Sequence, residues 1–277
     1  MGKFINPFTD FGFHRIFGQE MHKELLIDFL NQLLEGERHI VDISFQNPNL
    51  LPETIEDRGV IFDIYCKSDD GSYFITEMQN GAQPYFYDRG LYYMARSISS
   101  QGEKGKKWKF KLYPVYGVFL LNYKMGTNSK FRTDVILADR DTGKMFNDKM
   151  RQIYLELPWF EKEWEECCSD FERWLYLLKN METLKRMPYN AQKAVWEKLL
   201  DVADVASLNE EERARYDEAL KRYRDYTNTI DYAEEKGVQK GMQKGIRSVA
   251  QNMKKQGIDT DTIIACTGLD AETIAGL

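Results

Sequence analysis

Cysteine and histidine are scarce in this chain of 277 residues, which has four cysteines and three histidines. Cys66, Cys167, Cys168 and Cys266 form no C-x-x-C pair and no disulfide-like spacing, so a reducing, cytoplasmic location is expected. His14, His22 and His39 are too few and too poorly spaced for a typical zinc site. No apolar run approaches the roughly 20 residues that a bilayer span needs. The longest, Tyr113 to Tyr123, reads as a buried strand, and the first residues carry no secretory pattern, so no membrane partner is expected. The chain also lacks G-x-S-x-G, G-x-G-x-x-G and G-x-x-x-x-G-K-[ST], which removes support for serine hydrolases, dinucleotide enzymes and P-loop proteins. A formal net charge of −6 counts against nonspecific coating of nucleic acid. It leaves room for a basic groove. Arg96, Lys104, Lys106, Lys107, Lys109 and Lys111 gather around Trp108, and they read equally well as a groove or as a solvated loop.

What is present is enough to build a core, with 43% hydrophobic and 13% aromatic residues. Thr9 caps a short helix over 10–17 that stops at Gly18, and apolar positions at Leu25, Leu26, Phe29, Leu30 and Leu33 mark a second over 20–34. Strands are expected over 40–45, 60–67 and 72–80, a helix over 84–100, and further strands at 113–123, 132–138 and 152–157. Pro158 marks a change to a charged helical pattern, broken near Pro188 and Ser207. The expected organisation is an α/β core over 1–158, a helical extension over 159–235 and a distinct end over 236–277.

The segment from Asp57 to Gln79, DRGVIFDIYCKSDDGSYFITEMQ, carries the chemistry. Asp69-Asp70-Gly71 suits a three-residue hairpin loop with glycine in the left-handed position. If Ser68 and Ser72 close it, paired residue numbers sum to 140, and Asp63 faces Glu77. Ile61, Asp63 and Tyr65 then share one face, and Val60, Phe62, Ile64 and Cys66 the other. Two carboxylates directly opposite destabilise a sheet and ask for a compensating cation, and a hard ion such as Mg²⁺ suits their free oxygens. The same pattern also fits two acids on a solvent face paired with lysines. Asp57, Asp69 and Asp70 are assigned to turns and surface.

Asp63 followed by Glu77-Met78-Gln79 resembles the D…(D/E)-x-K signature of the PD-(D/E)XK nucleases, with glutamine in the lysine position. Thr9-Asp10-Phe11-Gly12-Phe13-His14-Arg15-Ile16-Phe17-Gly18 and Asp88-Arg89-Gly90-Leu91-Tyr92-Tyr93 narrow the resemblance to the Rpn-type recombination-promoting nucleases, also called PD-(D/E)XK family transposases. The resemblance implies a restriction-endonuclease-like fold, a mixed central sheet flanked by helices with a helical C-terminal tail. It also implies metal-dependent cleavage of DNA linked to recombination or transposition. Asp63, Glu77 and the Met78 carbonyl would hold Mg²⁺, or Mn²⁺ or Ca²⁺ in its place. Gln79 would orient water or a phosphate oxygen, Arg89 would stand in for the missing lysine charge, and Asp10 would add an acid from the side. Asp10 reads equally as a carboxylate serving the helix dipole. Because Gln79 is neutral, the alternative is a weak or inactive nuclease fold that binds nucleic acid or protein.

In the tail, Gly237, Gly241 and Gly245 recur every four residues, as on a helix-packing face through which the chain would form a homodimer; a flexible linker is the competing reading. Residues 261–277 read as a small helix-turn-helix whose acidic second helix is ill-suited to phosphates.

Overall fold

The computed structural model describes residues 2–50, 60–103, 105, 108–126, 130–186 and 193–277, with Leu50 described by its backbone alone. The chain divides into two compact units, residues 1–223 and 224–277.

The first unit opens with α1 (Asp10–Phe17), where Thr9 Oγ1 accepts the Gly12 N–H at 2.9 Å, and α2 (Lys23–Leu33). Strands β1 (Ile43–Phe45), β2 (Asn49–Leu50), β3 (Val60–Ile61), β4 (Ile64–Ser68) and β5 (Tyr73–Gln79) follow. Helix α3 (Phe86–Ser99) crosses over to β6 (Val115–Leu121), and β7 (Arg132–Ala138) and β8 (Met145–Glu156) form a hairpin. The six-stranded sheet has the order β1-β4-β5-β6-β8-β7. Its centre, β5-β6-β8, is parallel, and antiparallel strands lie on both sides. The strand expected at 152–157 is thus the buried half of a much longer β8.

Alternation along the central strands splits their side chains between two layers. Ile64, Cys66, Phe74, Met78, Val118 and Leu120 meet α1 and α2 in the main core. Tyr65, Ile75 and Val115 meet Met94 of α3 on the opposite face. The helices beyond Pro158 belong to the first of these cores. Trp174 of α4 (Asp170–Asn180) packs on Phe17 and Phe29, with ring centroids 5.6 and 5.8 Å away. Its indole N–H donates to Asp28 Oδ2 at 2.7 Å, and Trp196 of α5 (Ala194–Ala203) lies 5.0 Å from it. The expected domain break at 158 therefore does not separate compact units. Pro158 ends the sheet, and the aromatic faces of α4 and α5 fold back under it. Pro188 lies outside the described residues.

Helix α6 (Glu210–Lys255) begins in the first unit, where Tyr216, Ala219 and Leu220 are buried. The second unit has its own small core of Ala250, Ile263 and Ile274, formed with α7 (Thr260–Thr267) and α8 (Ala271–Ala275). Gly268, at φ +68°, turns the chain between these last two helices. Gly237, Gly241 and Gly245 are helical and exposed, and a Cβ on any of them would meet nothing within 4 Å.

The hairpin closes as its sequence requires. Ser68 N–H donates to Ser72 O at 2.8 Å, Gly71 sits at φ +89°, and β4 pairs with β5 from Ile64↔Thr76 to Lys67↔Tyr73. Asp70 Oδ1 accepts from Ser68 Oγ and Ser72 N, and Asp69 Oδ1 from Val41 N, so both acids serve the turn. Asp57 lies outside the described residues. A Cβ at position 71 would lie 2.4 Å from the Tyr113 ring in a backbone conformation that L residues avoid. Gly71→Ala is therefore expected to cost about 1–2 kcal/mol in urea denaturation. A change within about 0.3 kcal/mol would show that the turn does not hold the register.

Candidate metal and phosphodiester site

The site begins where the β4–β5 ladder ends. Because Ser68 N–H bonds Ser72 O, the even-numbered pairs of this register are the hydrogen-bonded ones. Asp63 and Glu77, next in sequence after Ile64↔Thr76, fall at a non-hydrogen-bonded position, where facing side chains approach most closely, about 4.5–5.5 Å between Cβ atoms.

At that point the strand bends. Phe62 N–H donates to Pro48 O at 3.0 Å, away from β5, and β3 pairs with β2 instead. This corrects the expected facing of one continuous strand over 60–67. Val60 and Phe62 lie with Tyr65 and Ile75 on the α3 side, apart from Ile64 and Cys66, and Ile61 is exposed. The bend at Asp63 resets the two-residue alternation.

Departure of Phe62 leaves backbone groups of β5 without their ladder partners, and the acids take them up. Met78 N–H donates to Asp63 Oδ2 at 3.0 Å, and Asp63 N–H donates to Glu77 Oε1 at 3.0 Å. N–H and C=O of one strand residue point to the same side, so the Met78 carbonyl also faces the gap beside Asp63. Each carboxylate keeps one oxygen that accepts no hydrogen bond from the described residues.

The electrostatics are unfavourable for two bare anions. Glu77 is 2% exposed, and burial, with the Asp63 charge beside it, pushes its carboxyl up to about 8. Asp63 opens to solvent on one side, yet burial of its carboxyl is the main cause of a raised pKa, and Asp10 adds to it. The Met78 N–H and the Arg89 charge oppose that rise. Two oxygens and a nearby carbonyl, all hard donors around excess negative charge, fit a divalent cation, with Asp63, Glu77 and Met78 as its protein ligands. No group of three His, Cys, Asp or Glu side chains suited to a metal occurs among the described residues, so any ion here rests on this pair.

The other expected residues stand around the pair. Asp10 opens α1 and lines the same cleft of about 500 Å³ as Asp63 and Met78. Arg89 on α3 feels both acids but pairs with neither. Its Nη1 donates to Gln83 Oε1 at 2.7 Å, and its guanidinium lies 5.1 Å from the Phe86 ring centre and 5.7 Å from that of Tyr93. Gln79 is half-buried at the end of β5. Its backbone carbonyl accepts the Asn122 N–H at 2.8 Å, and its side chain bonds to none of the described residues. Of the expected basic groove, Lys104, Lys106 and Lys107 lie outside the described residues. The rings of Trp108 and Phe110 meet at a tilt, 4.6 Å apart, beside exposed Lys109 and Lys111.

Sequence reasoning missed the far wall of the cleft, formed by Glu212, Arg215, Glu218 and Arg222 of α6 with His14 of α1. The available signal was the buried triplet Tyr216, Ala219 and Leu220, whose helical spacing docks this turn of α6 on the core. Burial and the Arg215 charge hold His14 below the usual histidine range.

A raised acid in the folded state binds its proton to higher pH than in the unfolded chain. Folding stability therefore falls as pH rises from the ordinary carboxylate range to about 8. Glu77→Gln, measured without metal, is expected to leave the melting temperature nearly unchanged at pH 5 and to raise it by about 2–4 °C or more at pH 8.5. Equal effects at both pH values would show that Glu77 is not held protonated.

The sequence model described as PD-(D/E)XK nuclease family transposase matches residues 7–233, which include α1, the Asp63–Glu77 pair, α3 and the start of α6. No curated protein and no solved structure matches the chain. Among the described residues no helix is long and apolar enough to cross a membrane. The mixed sheet, the bent strand that sets Asp63 beside Glu77, and a family match over most of its length place this chain in the PD-(D/E)XK nuclease family transposases.

Proposed function

We propose that the protein is a divalent-metal-dependent DNA endonuclease serving recombination or transposition, with Asp63 and Glu77 at its reaction centre. The observation that carries this is the carboxylate pair itself. It sits just past the end of the β4–β5 ladder, where the Asp63 N–H donates to Glu77 and the Met78 N–H to Asp63, and burial makes its second negative charge costly without a cation.

Mg²⁺, or Mn²⁺ or Ca²⁺, held by Asp63, Glu77 and the Met78 carbonyl would lower the pKa of a bound water and neutralise charge on a scissile phosphate. The chain's own groups do the rest. The Met78 and Asp63 N–H bonds fix the orientation of the two carboxylates, so binding loses little side-chain freedom. Gln79, whose amide has no partner among the described residues, orients the attacking water or a phosphate oxygen. Arg89, kept out of an ion pair by its hydrogen bond to Gln83 and its aromatic contacts, keeps its charge available for phosphate. Asp10 supplies negative charge from the side of the cleft.

Neutral Gln79 favours a second reading, a fold that binds DNA without cutting it. Supercoiled plasmid incubated with Mg²⁺, Mn²⁺, Ca²⁺ or EDTA separates the two. Nicking is expected with Mg²⁺ or Mn²⁺ and is abolished by EDTA. Asp63→Ala and Glu77→Ala should each lower it more than about 100-fold, beyond the 10–100-fold typical one shell further out. No nicking by the parent protein with any metal supports the binding module. Equal nicking by parent and variants places the activity elsewhere.

A further inference from the structure

Loss of the signature lysine leaves the centre short of one positive charge, and the cleft wall offers a replacement from an unexpected element. Residues 215, 218, 219 and 222 follow one another at helical spacing, which turns a single face of α6 toward the cleft that holds Asp63 and Asp10. The charges on this wall are not equivalent. Glu212 is tied to the buried Arg15 at 2.6 Å, and Arg222 to Glu218 at 3.0 Å. Arg215 has no carboxylate partner among the described residues. Its guanidinium lies 5.8 Å from the ring centre of Phe11, which lines the same cleft, a contact that helps to position the group there.

We propose that Arg215 is a phosphate-binding residue of the cleft, contacting the backbone of the DNA strand presented to Asp63 and Glu77. An unpaired arginine is suited to this task because its planar fork is always charged and matches phosphate oxygens two at a time. Lining the same cleft as Asp10 and Asp63, it provides the attraction that a polyanion needs to enter. This assignment rests on the nuclease reading. It would make the start of α6 part of the substrate site.

The test uses the full chain with Asp63 and Glu77 intact and Ca²⁺ in place of Mg²⁺ or Mn²⁺, the two ions with which nicking is expected, and a fluorescein-labelled duplex followed by anisotropy across a series of salt concentrations. Arg215→Ala is expected to weaken binding about 10-fold and to reduce the salt slope by about 1, the signature of one lost phosphate contact. Arg215→Lys should retain most of the affinity, because the point charge survives. Arg213→Ala is the control for charge alone. Arg213 sits on the same helix, pairs with Asp217 at 3.2 Å and does not line the cleft, and its loss should change affinity less than about 2-fold. Equal effects of Arg215→Ala and Arg213→Ala, or an unchanged salt slope, would overturn the assignment. If the chain with Asp63 and Glu77 intact binds no DNA, the nuclease reading fails instead, and this one falls with it.

Discussion

The repulsion between Asp63 and Glu77 is the constraint around which the rest of the site is organised. A sheet ordinarily avoids like charges at a non-hydrogen-bonded pair, and burial of Glu77 raises the cost further. Two features make the arrangement tolerable without a metal. Burial and the Asp63 charge raise the Glu77 pKa, which favours its neutral form, and each carboxylate accepts one backbone N–H. The two features act differently on a cation. The N–H bonds leave an oxygen free on each acid, and the raised pKa means that metal must compete with a proton.

The fold supplies the rigidity that such a pair needs. Glu77 sits on β5, paired on one side with β4 and on the other with β6. Phe62 is drawn aside by Pro48, so that Asp63 caps the end of the ladder while the aromatic layer of Phe62, Tyr65 and Tyr93 backs the bend. Helix α3 covers this face and carries Arg89, with Gly90 packed so closely that a Cβ would lie 3.2 Å from both Phe119 and Tyr154. On the other side α1 and the start of α6 form the cleft. The helices α4 and α5 lie further back and anchor α2 through Trp174 and Trp196.

Much of this was legible in the sequence, for identifiable reasons. The Asp69-Asp70-Gly71 loop fixes a register sum of 140 by local turn chemistry, and a local signal needs no tertiary information. The bend at Asp63 depends on a bond from Phe62 to Pro48, fourteen residues away, and alternation alone reads through it. The same limit explains the domain boundary. Pro158 does end the sheet, but whether the following helices form a separate body depends on where Trp174 and Trp196 are buried. The cleft residues of α6 lie more than 130 positions beyond Glu77, and their pattern of alternating charge reads as a solvated helix until the fold places Arg215 in the cleft that Asp63 lines.

The most direct test is calorimetric titration of the metal-free protein with Mn²⁺ at pH 7, repeated in two buffers that differ in ionisation enthalpy. Metal held by a Glu77 carboxyl pushed up to about 8 must displace its proton, so binding is expected to release close to one proton per ion. Glu77→Gln and Asp63→Asn should abolish that heat. Binding with no proton release, or binding that survives both substitutions, would contradict the assignment of the ion to this pair.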